Sequence, residues 1–347
     1  MEPNDIEGPA PPERPTSDTA VPSFLRWELL PPAPTAISHL PPEKPRWWLA
    51  IGLFLLTSAT ATTLSAAWWV WTRTDVVIDL PAMLTPDLVR AVWTDPHLLT
   101  LGLQVALPAL FILLCHELGH YIACRLYGIR ATLPYFLPAP FGFGSLGAFI
   151  RIRSPIRNRR ELFDVGFAGP AAGFIALLPW LFYGLAHSTP VKLTAAANAA
   201  ATPTELLVPG RCLMMQLAAV PFHGWLGRDV VLNLHPFALA AWIGLFATAL
   251  NMLPLGQLDG GHVLYAAIGR RQHRMAWPAW CVLASLSFLW PGWGLWSVLL
   301  LWMGVKHPPL WDESEPLDSK RRWLALSALL LFVLCFIPMP LDVLGTP

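Results

Sequence analysis

Long runs of apolar residues alternate along this chain with short stretches dense in Arg, Pro or Gly. A helix rising 1.5 Å per residue needs roughly 20 apolar residues to cross the hydrocarbon layer of a bilayer. Residues 47–71 meet that length, with Trp47 and Trp48 at one end and Trp68, Trp69 and Trp71 at the other, where amphipathic rings favour the membrane interface. This predicts a first transmembrane helix. A polar stretch over 72–97 follows, then a second apolar run over 98–124. Further apolar runs cover 162–186, 234–254 and 323–341, and two shorter ones, 275–290 and 292–305, flank Pro291-Gly292-Trp293-Gly294 as a tight helical hairpin. The pattern predicts an all-α polytopic membrane protein of about seven membrane segments, each hairpin arm counted as one.

Between the second and third runs the pattern changes. Residues 132–152 interleave Pro, Phe and Gly, too broken for a helix and too apolar for an exposed loop. They are expected at the membrane face as a short β/loop region, with turns and a strand ending around Ala148 to Ile152. An ordinary interfacial loop is the plainer alternative. Arg125, Arg130, Arg151, Arg153, Arg157, Arg159 and Arg160 crowd the same connection, which the positive-inside rule assigns to the cytoplasm. The N-terminus is then cytoplasmic and the C-terminus outside. Arg270, Arg271 and Arg274 agree.

Composition sharpens this picture. The chain has 347 residues, 55% hydrophobic and 13% charged, with 18 Trp and a mean hydropathy of +0.50, far from a soluble domain. The lipid bilayer is therefore its surroundings. A net charge of +1 gives no field for nucleic acid, so no such partner is expected. Five cysteines at unpaired spacings indicate neither a disulfide framework nor a Cys-rich zinc site. Residues 1–46 hold twelve prolines among acidic and hydroxyl residues, a composition expected to stay a disordered cytoplasmic arm. Because that arm precedes the first apolar run, 47–71 is expected to be retained as an anchor and not cleaved as a signal peptide. The organisation expected is this arm, the helix at 47–71, a membrane core over 98–270 and C-terminal membrane helices over 275–341, in a cell inner membrane.

Inside the second run lies His116-Glu117-Leu118-Gly119-His120. Residues four apart share a helix face, so His116 and His120 can place two imidazole nitrogens on one metal ion, about 2.0–2.1 Å from each. Glu117, on the same turn, can reach water at the metal as a general base. A Zn2+ ion would lower the pKa of that water toward about 7 and polarise a scissile carbonyl. Two satisfied surface histidines would be the bland explanation, but ionisable groups at membrane depth are rare without a function. Cys115 points about 100° away from His116 around the helix and is left out of the site.

A catalytic zinc site needs a third protein ligand. After the 234–254 run, Pro254 and Gly256 break the helix in Asn251-Met252-Leu253-Pro254-Leu255-Gly256-Gln257-Leu258-Asp259-Gly260. Asp259 is the candidate metal ligand, with an N-cap of a helix over 260–268 as its competing role. His262 is a rival ligand or an outer partner. Asn251 could bind a substrate backbone or a developing oxyanion, or bridge two helices.

These two motifs resemble the core of the site-2 protease family of intramembrane zinc metalloproteases, which pairs His-Glu-x-x-His on one membrane helix with Asn-x-x-Pro-x-x-x-Leu-Asp-Gly on a later one. Phe163 to Gly173 is similar to the family's small-residue helix, and the resemblance covers roughly 98–270, more loosely to about 340. It implies a zinc ion held some way inside the membrane, a transmembrane protein as substrate, and a membrane-associated strand near 141–148 that presents the substrate extended. His116 lies nine residues before Arg125, about 13 Å along a helix, which fits a buried site. Neither a PDZ-like insertion nor a nucleotide-sensing module is evident. The alternatives are a non-proteolytic membrane metal-binding or transport protein, and a metal-dependent hydrolase of lipid. Glu117 speaks against the former, since a structural metal site has no use for a carboxylate beside its first histidine.

Overall fold

The computed structural model describes residues 46–71, 85–192, 206–227 and 229–344. The Pro-rich arm, apart from Arg46, lies outside them. Helix α1 is Trp47–Trp71, α2 Pro86–Thr94, α3 Pro96–Leu126 and α4 Arg159–Ala186. Beyond α4 come α5 Leu213–His223, α6 Pro236–Asn251, α7 Asp259–Ile268, α8 Gln272–Ser285, α9 Gly292–Met303 and α10 Ser319–Cys335. Three two-stranded antiparallel sheets complete the described residues: β1 Tyr135–Pro138 with β2 Ser145–Phe149, β3 Thr189–Lys192 with β5 Val230–Asn233, and β4 Leu206–Pro209 with β6 Leu341–Leu344.

The chain is an all-α, multi-pass integral membrane protein with minor β content. Among the described residues three helices are long and apolar enough to cross a membrane, within α1, α3 and α4. The remaining apolar runs fold as shorter helices than the expected count of about seven segments requires. Helix α6, at 16 residues, is about 24 Å long, short of a hydrocarbon layer of about 30 Å. The polar stretch before α3 also contains a helix that hydropathy does not predict. Thr85 caps α2, and the Trp93 indole donates to Thr63 Oγ1 at 3.0 Å, tying α2 to α1.

Local signals set the ends of the long helices. Asp95 caps α3 by accepting from the His97 N–H at 2.8 Å, with Pro96 at the first helical position where a missing N–H costs nothing. Asn158 caps α4 by accepting from the Glu161 N–H at 2.9 Å, and the Glu161 carboxylate accepts from the Arg157 N–H at 2.9 Å. Helices α3, α4 and α6 pack together around a core that includes Ile112, Leu177, Leu181, Trp242, Leu245 and Ala249. The buried Trp242 indole is satisfied by the Gly210 carbonyl at 2.7 Å.

The strand expected to end around Ala148 to Ile152 is one arm of a hairpin, β1 pairing with β2 through Tyr135 opposite Phe149 and Phe136 opposite Ala148. Its tip docks on α1, where the Thr60 hydroxyl donates to the Gly144 carbonyl at 2.7 Å. Gly144 has φ +80 and sits against the α1 backbone, so a side chain there would be both strained and blocked.

One ionic cluster joins the ends of three helices. Arg321 of α10 donates to both carboxylate oxygens of Asp164 on α4, at 2.7 and 2.5 Å, and Tyr127 at the end of α3 donates to the same carboxylate. A two-pronged guanidinium–carboxylate contact is stronger than a neutral hydrogen bond. Arg321→Met is expected to lower stability by about 2 kcal/mol in a denaturing-detergent titration, because the Asp164 carboxylate keeps the Tyr127 hydroxyl but loses both guanidinium bonds. An unchanged midpoint would remove the cluster from the account of how α10 is held.

Candidate metal centre

Helix α3 delivers His116, Glu117 and His120 to the protein interior, 4%, 6% and 7% exposed. What makes room for them is α4. A Cβ built on Gly169 would strike the His120 ring, one on Gly173 would come within 3.1 Å of His116 Cβ, and Gly119 packs onto the Ala168 backbone. Small residues thus let two helices approach until the imidazoles lie against bare backbone. His120 Nδ1 is 2.7 Å from the Val165 carbonyl. That oxygen can only accept, so Nδ1 carries a proton and donates to it, which leaves Nε2 as the ring atom turned inward and able to bind a metal.

The third group comes from the break after α6. Helix α7 starts at Asp259, its N-cap is Leu258, and no side-chain capping bond forms there. The capping role is therefore not taken, and the Asp259 carboxylate turns toward α3. Its Oδ2 lies 3.2 Å from His116 Nε2 and 3.3 Å from His120 Nε2, and the two nitrogens are 3.1 Å apart. His116, His120 and Asp259 form a group able to offer three ligand atoms to one ion.

The donor set fits zinc. Two ligand atoms each about 2.0–2.1 Å from a tetrahedral ion lie roughly 3.3–3.4 Å apart, close to the separations here. Two imidazoles and a carboxylate are donors zinc accepts.

Glu117 stays out of the triad. Its carboxylate lies by the backbone of Ile150, the residue after β2, so the hairpin closes over it. Asn251, the last residue of α6, has its Nδ2 at 3.3 Å from His116 Nε2, at the rim of the triad. All five residues singled out by the motifs come together.

His262 does not join them. Its Nδ1 lies 2.8 Å from Nε2 of His307, a residue of the α9–α10 connection that no spacing in the sequence marks. Burial pushes the His307 imidazole down to about 3, so it stays neutral. His307 Nδ1 lies 2.5 Å from the Pro308 carbonyl and must donate to it, which leaves its Nε2 to accept from His262. The His307 ring stacks on Tyr265 at 4.4 Å, and the Tyr265 hydroxyl donates to Glu313 at 2.6 Å. His262 is thus an anchor of α7, the helix that carries Asp259. The other contribution that motif reading did not assign is the Val165 carbonyl, which has no side-chain signature.

The family model described as Peptidase family M50 matches residues 104–279, from within α3 to within α8. Among curated proteins, "Probable zinc metalloprotease EGY1, chloroplastic" of Arabidopsis thaliana is 31% identical over 331 residues, covering 91% of this chain and 56% of the relative. "Probable zinc metalloprotease EGY2, chloroplastic" of the same plant is 30% identical over 269 residues, covering 77% and 47%. Its counterpart in Oryza sativa subsp. indica is 30% identical over 259 residues, covering 74% and 46%. The chain spans about half the length of these curated relatives.

Proposed function

The chain belongs to peptidase family M50, with homology to site-2-protease-like zinc metalloproteases, and from that premise we propose that it is an intramembrane zinc metalloendopeptidase. Its substrates are membrane proteins, cut within or next to a transmembrane segment. The observation that carries this reading is the convergence of His116, His120 and Asp259 beside a buried carboxylate, Glu117, that takes no part in the triad.

His116, His120 and Asp259 hold zinc in this reading. When bound, zinc lowers the pKa of water toward about 7 and polarises the scissile carbonyl. Glu117 takes the proton from the attacking water and returns it to the leaving amine. Asn251 aims an amide N–H at the side where the carbonyl oxygen gathers charge. Among the described residues β2 pairs only with β1, so a substrate unwound into a strand can add to its other edge, next to Ile150 and Glu117. Unwinding is required because a helical amide is closed to attack.

The same reading places the arginine-rich connection over 125–160 in the cytoplasm, with the centre opening toward that side of a cell inner membrane. It takes 98–270 as the catalytic core, flanked by 47–71 and 275–341, with the shorter apolar helices supplying the rest of about seven segments.

The test uses purified protein in detergent and a reporter with one transmembrane segment. Wild type is expected to carry one zinc per chain, to lose cleavage with 1,10-phenanthroline, and to regain it with added zinc. Asp259→Ala is expected to weaken zinc binding by more than about 100-fold, beyond the loss usual for an outer partner of a ligand. Undiminished cleavage after zinc removal, or full zinc in Asp259→Ala, would overturn the assignment.

A further inference from the structure

A cavity of about 560 Å³ opens between the start of α1 and one face of the β1–β2 hairpin. Among the described residues that line it, three are arginines, Arg46, Arg151 and Arg153, and none is acidic. Its other wall is apolar, built from Leu49 and Leu53 of α1 with Leu137 and Phe149 of the hairpin. Phe149, Arg151 and Arg153 are spaced two apart, so an extended chain turns all three to one side.

The depth of this cleft can be read from α1. Arg46 directly precedes Trp47 and Trp48, which are 58% and 74% exposed, a placement suited to the headgroup layer. Leu53 lies seven residues further along, about 10 Å deeper on a helix axis. Leu56, 53% exposed, lies one turn beyond Leu53 on the same side of α1 and carries that apolar surface on toward lipid. The cleft therefore runs from a cationic mouth at headgroup level to an apolar floor that is continuous with the acyl chains.

We propose that this cleft is a binding site for one anionic phospholipid. The guanidinium groups hold the phosphate, for which planar paired donors are well shaped, and the leucines with Phe149 take the glycerol and the start of an acyl chain. A cavity of this volume is in the range that accommodates a small ligand. A soluble acidic peptide segment would satisfy the arginines but leave the apolar floor unused. The site is separate from the metal centre and stands independently of the proteolytic reading.

Purified full-length protein, delipidated in detergent, would be titrated with phosphatidylglycerol or phosphatidylcholine and examined by native mass spectrometry. One phosphatidylglycerol per chain is expected to be retained in preference to phosphatidylcholine. Arg46→Gln, Arg151→Gln and Arg153→Gln are each expected to weaken retention roughly fivefold, the scale for one basic group near an anionic surface. Leu53→Trp, which fills the floor, is expected to weaken it as well, and zinc content checks that every variant is folded. Equal retention of the two lipids, or a triple arginine variant that keeps phosphatidylglycerol like wild type, overturns the proposal. So does displacement of the lipid by equimolar inorganic phosphate or by a soluble acidic peptide, which would assign the arginines to a free anion or to a protein segment.

Discussion

Glu117→Gln is expected to lower cleavage of a transmembrane reporter by about 10²–10⁴-fold, the range general base catalysis supplies, while zinc content stays at the wild-type level. Gln keeps the size and hydrogen-bonding reach of Glu but cannot take up a proton at neutral pH. The three groups that converge and could hold the ion are His116, His120 and Asp259, so removing the charge of Glu117 leaves the triad whole. Measuring bound metal and cleavage on one preparation separates the two effects. Unchanged cleavage would sink the mechanism; parallel loss of zinc would make Glu117 a ligand and not a base.

The second large effect is expected where no side chain exists. In Gly169→Ala the new methyl group would occupy the space of the His120 ring. The ring must then leave the Val165 carbonyl, and its Nε2 leaves the triad with it. Zinc affinity is expected to fall by about 100-fold or more, because the ring itself is displaced in addition to losing its outer hydrogen bond, a loss worth about 10–100-fold alone, and cleavage should fall with it. Ala is also the better helix former, by about 1 kcal/mol, so α4 itself gains in local propensity and simple helix loss cannot explain the result. Gly173→Ala serves as a graded control, because its Cβ would approach His116 Cβ only to 3.1 Å. A Gly169→Ala protein with wild-type zinc affinity would show that the α3–α4 contact does not position the histidines.

Much of the fold was legible because the bilayer imposes a simple rule on backbone polar groups. In hydrocarbon every backbone N–H and C=O must be satisfied internally, so an unbroken apolar run of sufficient length reads as a helix. Runs 47–71, 98–124 and 162–186 became α1, α3 and α4 with ends moved by no more than three residues. The rule weakens where the run is short or broken. The 323–341 run folds as Ser319–Cys335, ending before Pro338, and the 132–152 stretch forms two paired strands. Hydropathy carries no information about strand pairing, which depends on a partner chosen in space.

Residue types and helical spacing alone fixed His116, Glu117 and His120 as a group on one side of α3, since positions one turn apart must be neighbours. They also supplied Asp259 as a candidate, but with capping and ligation open to the same carboxylate. Only the tertiary structure could choose, because the choice depends on where α7 lies against α3, and among the described residues three further helices separate residues 120 and 259 along the chain. The same holds for His262, which the sequence left open as a rival ligand or an outer partner and which the fold joins to His307, 45 residues away. The glycines of α4 read as a small-residue helix. That Gly169 in particular is the seat of His120 follows from how closely two helix backbones approach, a distance set by packing between elements and not written in either one.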